Sequence, residues 1–107
     1  MSTLRRWRLR MEKSSYVYIL TNAPYGTLYI GSTTDLIKRI WQHREGVIEG
    51  FTKQHGLKRL AWYEVHHHIM EAGLREKQLK LWKRDWKINL IQGMNPDWRD
   101  LFDEIVG

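Results

Sequence analysis

Apolar positions along the chain follow two different periods, and the change of period marks the elements. Tyr16–Thr21 reads YVYILT, a run of β-branched and aromatic residues that predicts a strand. Asn22-Ala-Pro-Tyr-Gly26 follows with Pro and Gly placed as a turn requires, and Thr27–Ile30, TLYI, predicts a second strand. The two are expected to pair as an antiparallel hairpin. Gly31 ends the second strand, and Ser32, Thr33 and Thr34 are candidate N-caps before Asp35. From Asp35 to Arg44 the period becomes helical: Leu36, Ile37, Ile40 and Trp41 lie on one side, with Asp35, Lys38, Arg39, Gln42 and His43 on the other. Gly46 and Gly50 bound a loop, and Leu60–Val65, LAWYEV, predicts a third strand that runs into His66-His67-His68.

The longest periodic stretch is Ile69–Asn89, read as one helix. Leu74, Leu81 and Ile88 recur every seven residues, while Leu79, Trp82 and Trp86 mark another side, so this helix is expected to be sandwiched between the sheet and the C-terminal segment. Asn95-Pro96 is expected to start a final short helix carrying Trp98, Leu101, Phe102 and Ile105. No internal repeat or low-complexity segment interrupts the pattern. The order β-β-α-β-α-α predicts an α+β fold, a small three-stranded antiparallel sheet flanked by helices.

Composition narrows the function. At 107 residues with 42% apolar content, one domain with its own core is expected over residues 14–107. Residues 1–13, with Arg5, Arg6, Arg8, Arg10 and Lys13 against a single Glu12, read as a basic N-terminal arm. That stretch has no apolar core segment and no small-residue cleavage site, so it does not read as a secretory signal. The longest apolar runs are about five residues, far short of the roughly 20 a membrane helix needs, and a cytoplasmic location is expected. The absence of cysteine excludes disulfides, thiolate metal sites and a cysteine nucleophile. Eighteen Lys and Arg against twelve Asp and Glu give +6, and with six tryptophans this suits a nucleic-acid partner as well as it suits a solvated surface over an aromatic core.

Tyr16, Tyr18 and Tyr29 fall on the paired strands, and Tyr29-Ile30-Gly31 feeds directly into the helix that presents Arg39 and His43 four residues apart. The ordered stretches YVYIL, LYIGSTTDLIKRIWQH, REKQLKLWKR, KINLI and NPDW resemble the GIY-YIG nuclease superfamily over roughly residues 14–96. They are most similar to small stand-alone members related to the nuclease domain of the bacterial excision-repair incision subunit. The second half-motif stands complete at residues 29–31. In the first, Tyr16-Val17-Tyr18 replaces Gly-Ile-Tyr and keeps only the tyrosine.

The resemblance implies divalent-metal-dependent hydrolysis of DNA phosphodiester bonds, with RNA not excluded and no obligate protein partner evident. Tyr29 matches the tyrosine that helps activate the attacking water, with Tyr18 beside it. Arg39 matches the phosphate-stabilising arginine, Glu76 the glutamate that holds a single Mg²⁺ or Mn²⁺, and Asn95 an asparagine that positions substrate or site. His43 matches a histidine one turn after the arginine. A free phenol titrates near ~10 and a free imidazole near ~6.5, so Tyr29 and His43 both stand as candidate bases. Lys53 and Lys80, with Lys58, Arg59 and Lys83, are expected to contact phosphates.

Each residue has a plainer role beside this one. The tyrosines can pack a strand, Arg39 can pair with Asp35, Glu76 with Lys80, and Asn95 can cap a helix. The triple histidine is not expected to hold a metal, because successive side chains of an extended segment point to opposite sides. The first half-motif leaves open a module that binds nucleic acid without cutting it. An adaptor that docks a protein through the tryptophans ranks below both. With no separate DNA-binding domain expected, preference for structured or single-stranded DNA would rest on the site and its basic surroundings, in repair, recombination or uptake.

Overall fold

The computed structural model describes residues 14–107, and the expected basic arm lies outside the described residues. Strands β1 (Ser15–Thr21), β2 (Leu28–Thr33) and β3 (Arg59–His66) form one antiparallel sheet in the order β2-β1-β3. Helix α1 (Leu36–Arg44) follows the hairpin, and a single-turn helix α2 (Phe51–Gln54) occupies the segment expected to be loop. After β3 come α3 (Ile69–Leu81), α4 (Arg84–Met94) and α5 (Phe102–Val106). The expected α+β class and three-stranded sheet are therefore observed, with more helices than the periodicity suggested.

β1 is the central strand and every one of its residues is buried, so its alternation builds two cores instead of one. Tyr16, Tyr18 and Leu20 face Leu36 and Ile40 of α1 together with Leu57, Leu101 and Ile105. Val17 and Ile19 face Ala72 and Leu79 of α3 and Ile91 of α4, with Trp62 and Trp98. The sheet is thus covered on both sides, by α1 and α5 on one face and by α3 and α4 on the other.

Three expectations are corrected. Asp35, not Ser32, Thr33 or Thr34, is the N-cap of α1, its carboxylate accepting from Lys38 N at 3.2 Å. The stretch expected as one helix breaks at Trp82 and Lys83, both extended at ψ near 150° (151° and 149°). The break turns α4 toward the β1–β2 loop, where the Arg84 guanidinium donates to Tyr25 O and Gly26 O at 2.6 and 2.7 Å. The seven-residue repeat consequently spans two helices, and Leu74 and Leu81 are exposed instead of sandwiched. The last helix starts at Phe102 and not at Asn95-Pro96, because Trp98 adopts φ 55° and the Asn95 side chain closes a loop over residues 95–99. Asp100 then accepts from Phe102 N and from Leu60 N, tying the start of α5 to β3.

Candidate active site

The hairpin register sets Tyr18 opposite Gly31 and Leu20 opposite Tyr29, so both tyrosines lie on the α1 face. The Tyr18 ring lies directly over Gly31. A Cβ at position 31 would stand 2.5 Å from the phenolic oxygen and 2.6 Å from Cζ, which is closer than any side chain can approach. The glycine of YIG is therefore a steric requirement of the tyrosine across the ladder.

Leu36 and Ile40 anchor α1 on the same face and bring His43 against both tyrosines. The three rings form a triangle, with centroids 6.4 Å apart for Tyr18 and Tyr29, 5.9 Å for Tyr18 and His43, and 5.8 Å for Tyr29 and His43. His43 is 4% exposed and has both ring nitrogens engaged: Nε2 lies 3.2 Å from the Tyr18 oxygen and Nδ1 3.0 Å from Thr52 Oγ1 of α2. Burial, and then the Arg39 charge, push the imidazole down to about 4, so it is neutral near pH 7. Burial and the neighbouring Tyr29 push the Tyr18 phenol well above its ordinary range, with Glu76 adding to them and Arg39 opposing. Tyr18 therefore keeps its proton.

Arg39 is half-buried on the same helix. Its guanidinium makes no hydrogen bond or ion pair among the described residues, and the pairing with Asp35 that the spacing allows is replaced by the Asp35 cap. A cation whose charge acts on Tyr18 and His43, and whose guanidinium has no partner among the described residues, is suited to an anion with paired oxygens.

Glu76 arrives from the opposite face. Helix α3 packs behind the sheet through Ala72 and Leu79, and Ser32 points to that side because it pairs with Val17. Ser32 Oγ donates to Glu76 Oε1 at 2.5 Å and Lys80 Nζ to Oε2 at 2.6 Å. β2 is an edge strand, so groups from both faces reach its outer rim, and the Glu76 charge acts on Tyr18 across it. Burial alone would raise the Glu76 pKa, but the hydrogen bonds from Lys80 and Ser32 and the charges of Lys80 and Lys77 hold it below its usual range.

Among the described residues no group of three or more His, Cys, Asp or Glu converges as a metal cage. The donor set fits the other kind of site: one ionised carboxylate, with water and a substrate phosphate completing an octahedron around Mg²⁺ or Mn²⁺. Lys80, half-exposed at the end of a flexible chain, occupies Oε2 and can be displaced from it.

The remaining expected residues fall elsewhere. Asn95, expected to contact substrate, is 1% exposed and is committed to the backbone: Nδ2 donates to Ala61 O and Arg99 O at 3.1 and 2.8 Å, and Oδ1 accepts from Arg99 N at 3.0 Å. Its partner Ala61 sits where the β1–β3 register slips between Ile19 and Leu20, so Asn95 ties a bulged strand to the C-terminal loop. Lys53 pairs with Glu49 at 2.8 Å on the exposed side of α2. Arg59 donates to Trp98 O at 2.6 Å and is held within the fold, while Lys58 is exposed and Lys83 lies over the Trp86 ring. His66 bonds Glu64 at 2.8 Å, and His67 and His68 are exposed. Sequence reasoning missed Thr52 and Ser32. Ser32 was legible only as a capping candidate, and nothing in the sequence connects Thr52 to a histidine nine residues earlier.

Comparison with known proteins identifies the family. Residues 14–89 match the family described as the GIY-YIG catalytic domain. The chain is 36% identical over 77 residues to the UPF0213 protein of Clostridium perfringens, covering 72% of this chain and 82% of that protein. It is 31% identical over 84 residues to the UPF0213 protein of Bacillus pumilus, covering 78% and 86%. The solution NMR structure of the UPF0213 protein from Bacillus halodurans superposes with a TM-score of 0.51 at 30% identity, over 81% of this chain and 92% of that one. Identity at this level over most of each partner, on a hairpin whose glycine and tyrosine require one another, places the chain: it belongs to the GIY-YIG family of nuclease domains, alongside the small proteins named UPF0213.

Proposed function

We propose that this chain is a divalent-metal-dependent endonuclease that hydrolyses DNA phosphodiester bonds, with preference for single-stranded or structured DNA. The observation that carries the reading is Arg39, a half-buried guanidinium without a partner among the described residues, set beside Tyr18, Tyr29 and His43 and across the β2 rim from an ionised Glu76. Hydrolysis builds negative charge on the non-bridging oxygens, and a guanidinium fork meets two of them. Mg²⁺ or Mn²⁺ held by Glu76 would lower the pKa of a bound water and offset charge on the leaving oxygen. Tyr18 keeps its proton and both His43 nitrogens are occupied, so Tyr29, whose hydroxyl has no hydrogen bond among the described residues, is favoured as the group beside the attacking water. No described helix is long and apolar enough to cross a membrane, in keeping with action on DNA in the cytoplasm during repair, recombination or uptake.

One observation favours the alternative of a module that binds without cutting: Lys80 occupies the carboxylate that a metal would need. Labelled single-stranded, duplex and flapped DNAs, incubated with Mg²⁺ or Mn²⁺ and wild type or Glu76→Ala, separate the two. The nuclease reading expects cleavage by wild type only, with DNA affinity retained in the variant. Binding without cleavage by both proteins would contradict it.

A further inference from the structure

Thr52 belongs to none of the motifs, yet its side chain closes a buried chain that ends at the candidate site: Thr52 Oγ1, His43 Nδ1, His43 Nε2, Tyr18 Oη, at 3.0 and 3.2 Å. Two left-handed glycines make this possible. Gly50 (φ 110°) precedes α2 and Gly56 (φ 65°) follows it, so a single helical turn folds back and delivers Thr52 to the histidine.

A neutral imidazole carries one hydrogen, and each hydroxyl can donate or accept, so the chain has two arrangements. In the first, Tyr18 donates to Nε2 and Nδ1–H donates to Thr52, which leaves the Thr52 hydroxyl hydrogen over. Thr52 is only 5% exposed and has no other hydrogen-bond acceptor among the described residues, so that hydrogen would stay unsatisfied inside the protein. In the second, Thr52 donates to Nδ1 and Nε2–H donates to the Tyr18 oxygen. The hydrogen left over is then that of Tyr18, which at 2% exposed is as buried as Thr52 but, unlike Thr52, lies among further polar groups, the Tyr29 hydroxyl and the charges of Arg39 and Glu76. A substrate phosphate beside those groups supplies an acceptor for it.

We propose that Thr52 is the positioning residue of the site: it fixes His43 in the Nε2–H form, so that the Tyr18 hydroxyl is turned to donate to a phosphate oxygen. The substrate half of this inference rests on the nuclease reading, whereas the tautomer does not. Tyr18 then acts as a hydrogen-bond donor to developing charge and not as a base.

The test is the ¹⁵N signature of the His43 ring, read by long-range ¹H–¹⁵N NMR on the full chain, together with cleavage kinetics. Wild type and Thr52→Ser are expected to protonate Nε2. Thr52→Val keeps the shape, removes the donor, and should populate both tautomers. It should also lower kcat roughly 10- to 100-fold with KM little changed, while Thr52→Ser stays near wild type. A wild-type ring protonated on Nδ1 would overturn the proposal, and so would a Thr52→Val ring with the wild-type tautomer, whatever its rate. If wild type cut no DNA, the nuclease reading would fall with its phosphate donor, and the tautomer would still decide what Thr52 does to His43.

Discussion

The two faces of the sheet share one central strand and bury polar groups in opposite ways. Behind β1, Val17 and Ile19 meet an apolar layer from α3 and α4, and the buried polar side chain nearby, Asn95, bonds only to the backbone of residues 61 and 99. In front of β1, Tyr18, His43 and Thr52 bond to one another, and the Arg39 guanidinium beside them has no bond among the described residues. A side chain committed to fixed backbone groups holds a loop in place. Side chains that satisfy each other hold a fixed constellation, and the cation left open beside it can take a ligand. The difference separates a clamp from a site although both lie in the same small domain.

That contrast can be broken most severely at Arg39. Arg39→Ala is expected to lower the cleavage rate about 10²- to 10³-fold with the fold intact, as measured by single-turnover kinetics beside a thermal melt. An equal loss from Asn95→Ala, corrected for folded protein, would erase the distinction between the faces.

Acid should act on the front face through His43. His43 titrates at about 4 in the folded chain and near ~6.5 when unfolded, so its contribution to stability is complete above pH 6.5 and is lost as pH falls toward 4. The expected loss attributable to His43 is about 2–3 kcal/mol between pH 7 and pH 4.5. It is measured by urea unfolding, and His43→Gln should remove that part of the slope.

Two core substitutions should cost similar amounts for different reasons. Gly31→Ala drives a methyl into the Tyr18 ring, for about 1–3 kcal/mol of stability, and should take activity with it. Asn95→Ala strands the Ala61 and Arg99 backbone groups, for about 1–3 kcal/mol, and should leave the rate per folded molecule unchanged.

Lys80 carries the smallest effect. If it only occupies Glu76, Lys80→Met should reduce the Mg²⁺ needed for half-maximal cleavage roughly two- to fivefold, in line with an exposed pair. Weaker DNA binding at unchanged Mg²⁺ dependence would instead make Lys80 a phosphate contact.

The hairpin, α1 and β3 were legible because alternation and helical spacing there are local signals that the packing agrees with. YIG and the Arg39 to His43 spacing pointed to the front face for the same reason. The break at Trp82–Lys83 was not legible: neither residue is a helix breaker, and the contacts that accompany the turn, from Arg84 to the β1–β2 loop, join segments some 58 residues apart. Leu74 and Leu81 looked like a buried stripe because spacing alone does not reveal a change of helix axis. Asn95 was expected to start a helix, whereas it ends α4, and its bond to Ala61 was not legible because that partner lies 34 residues earlier in the chain. Thr52 carried no signal, since its meaning depends on a fold-back between two glycines.

The account depends most on Glu76 serving the chemistry and not the fold. Single-turnover cleavage and equilibrium binding of the DNA that wild type prefers, with Mg²⁺ and with Glu76→Gln beside wild type, test this directly. A rate at least ~10²-fold lower at unchanged affinity is the expected result. A Glu76→Gln protein that cuts at the wild-type rate would contradict the account.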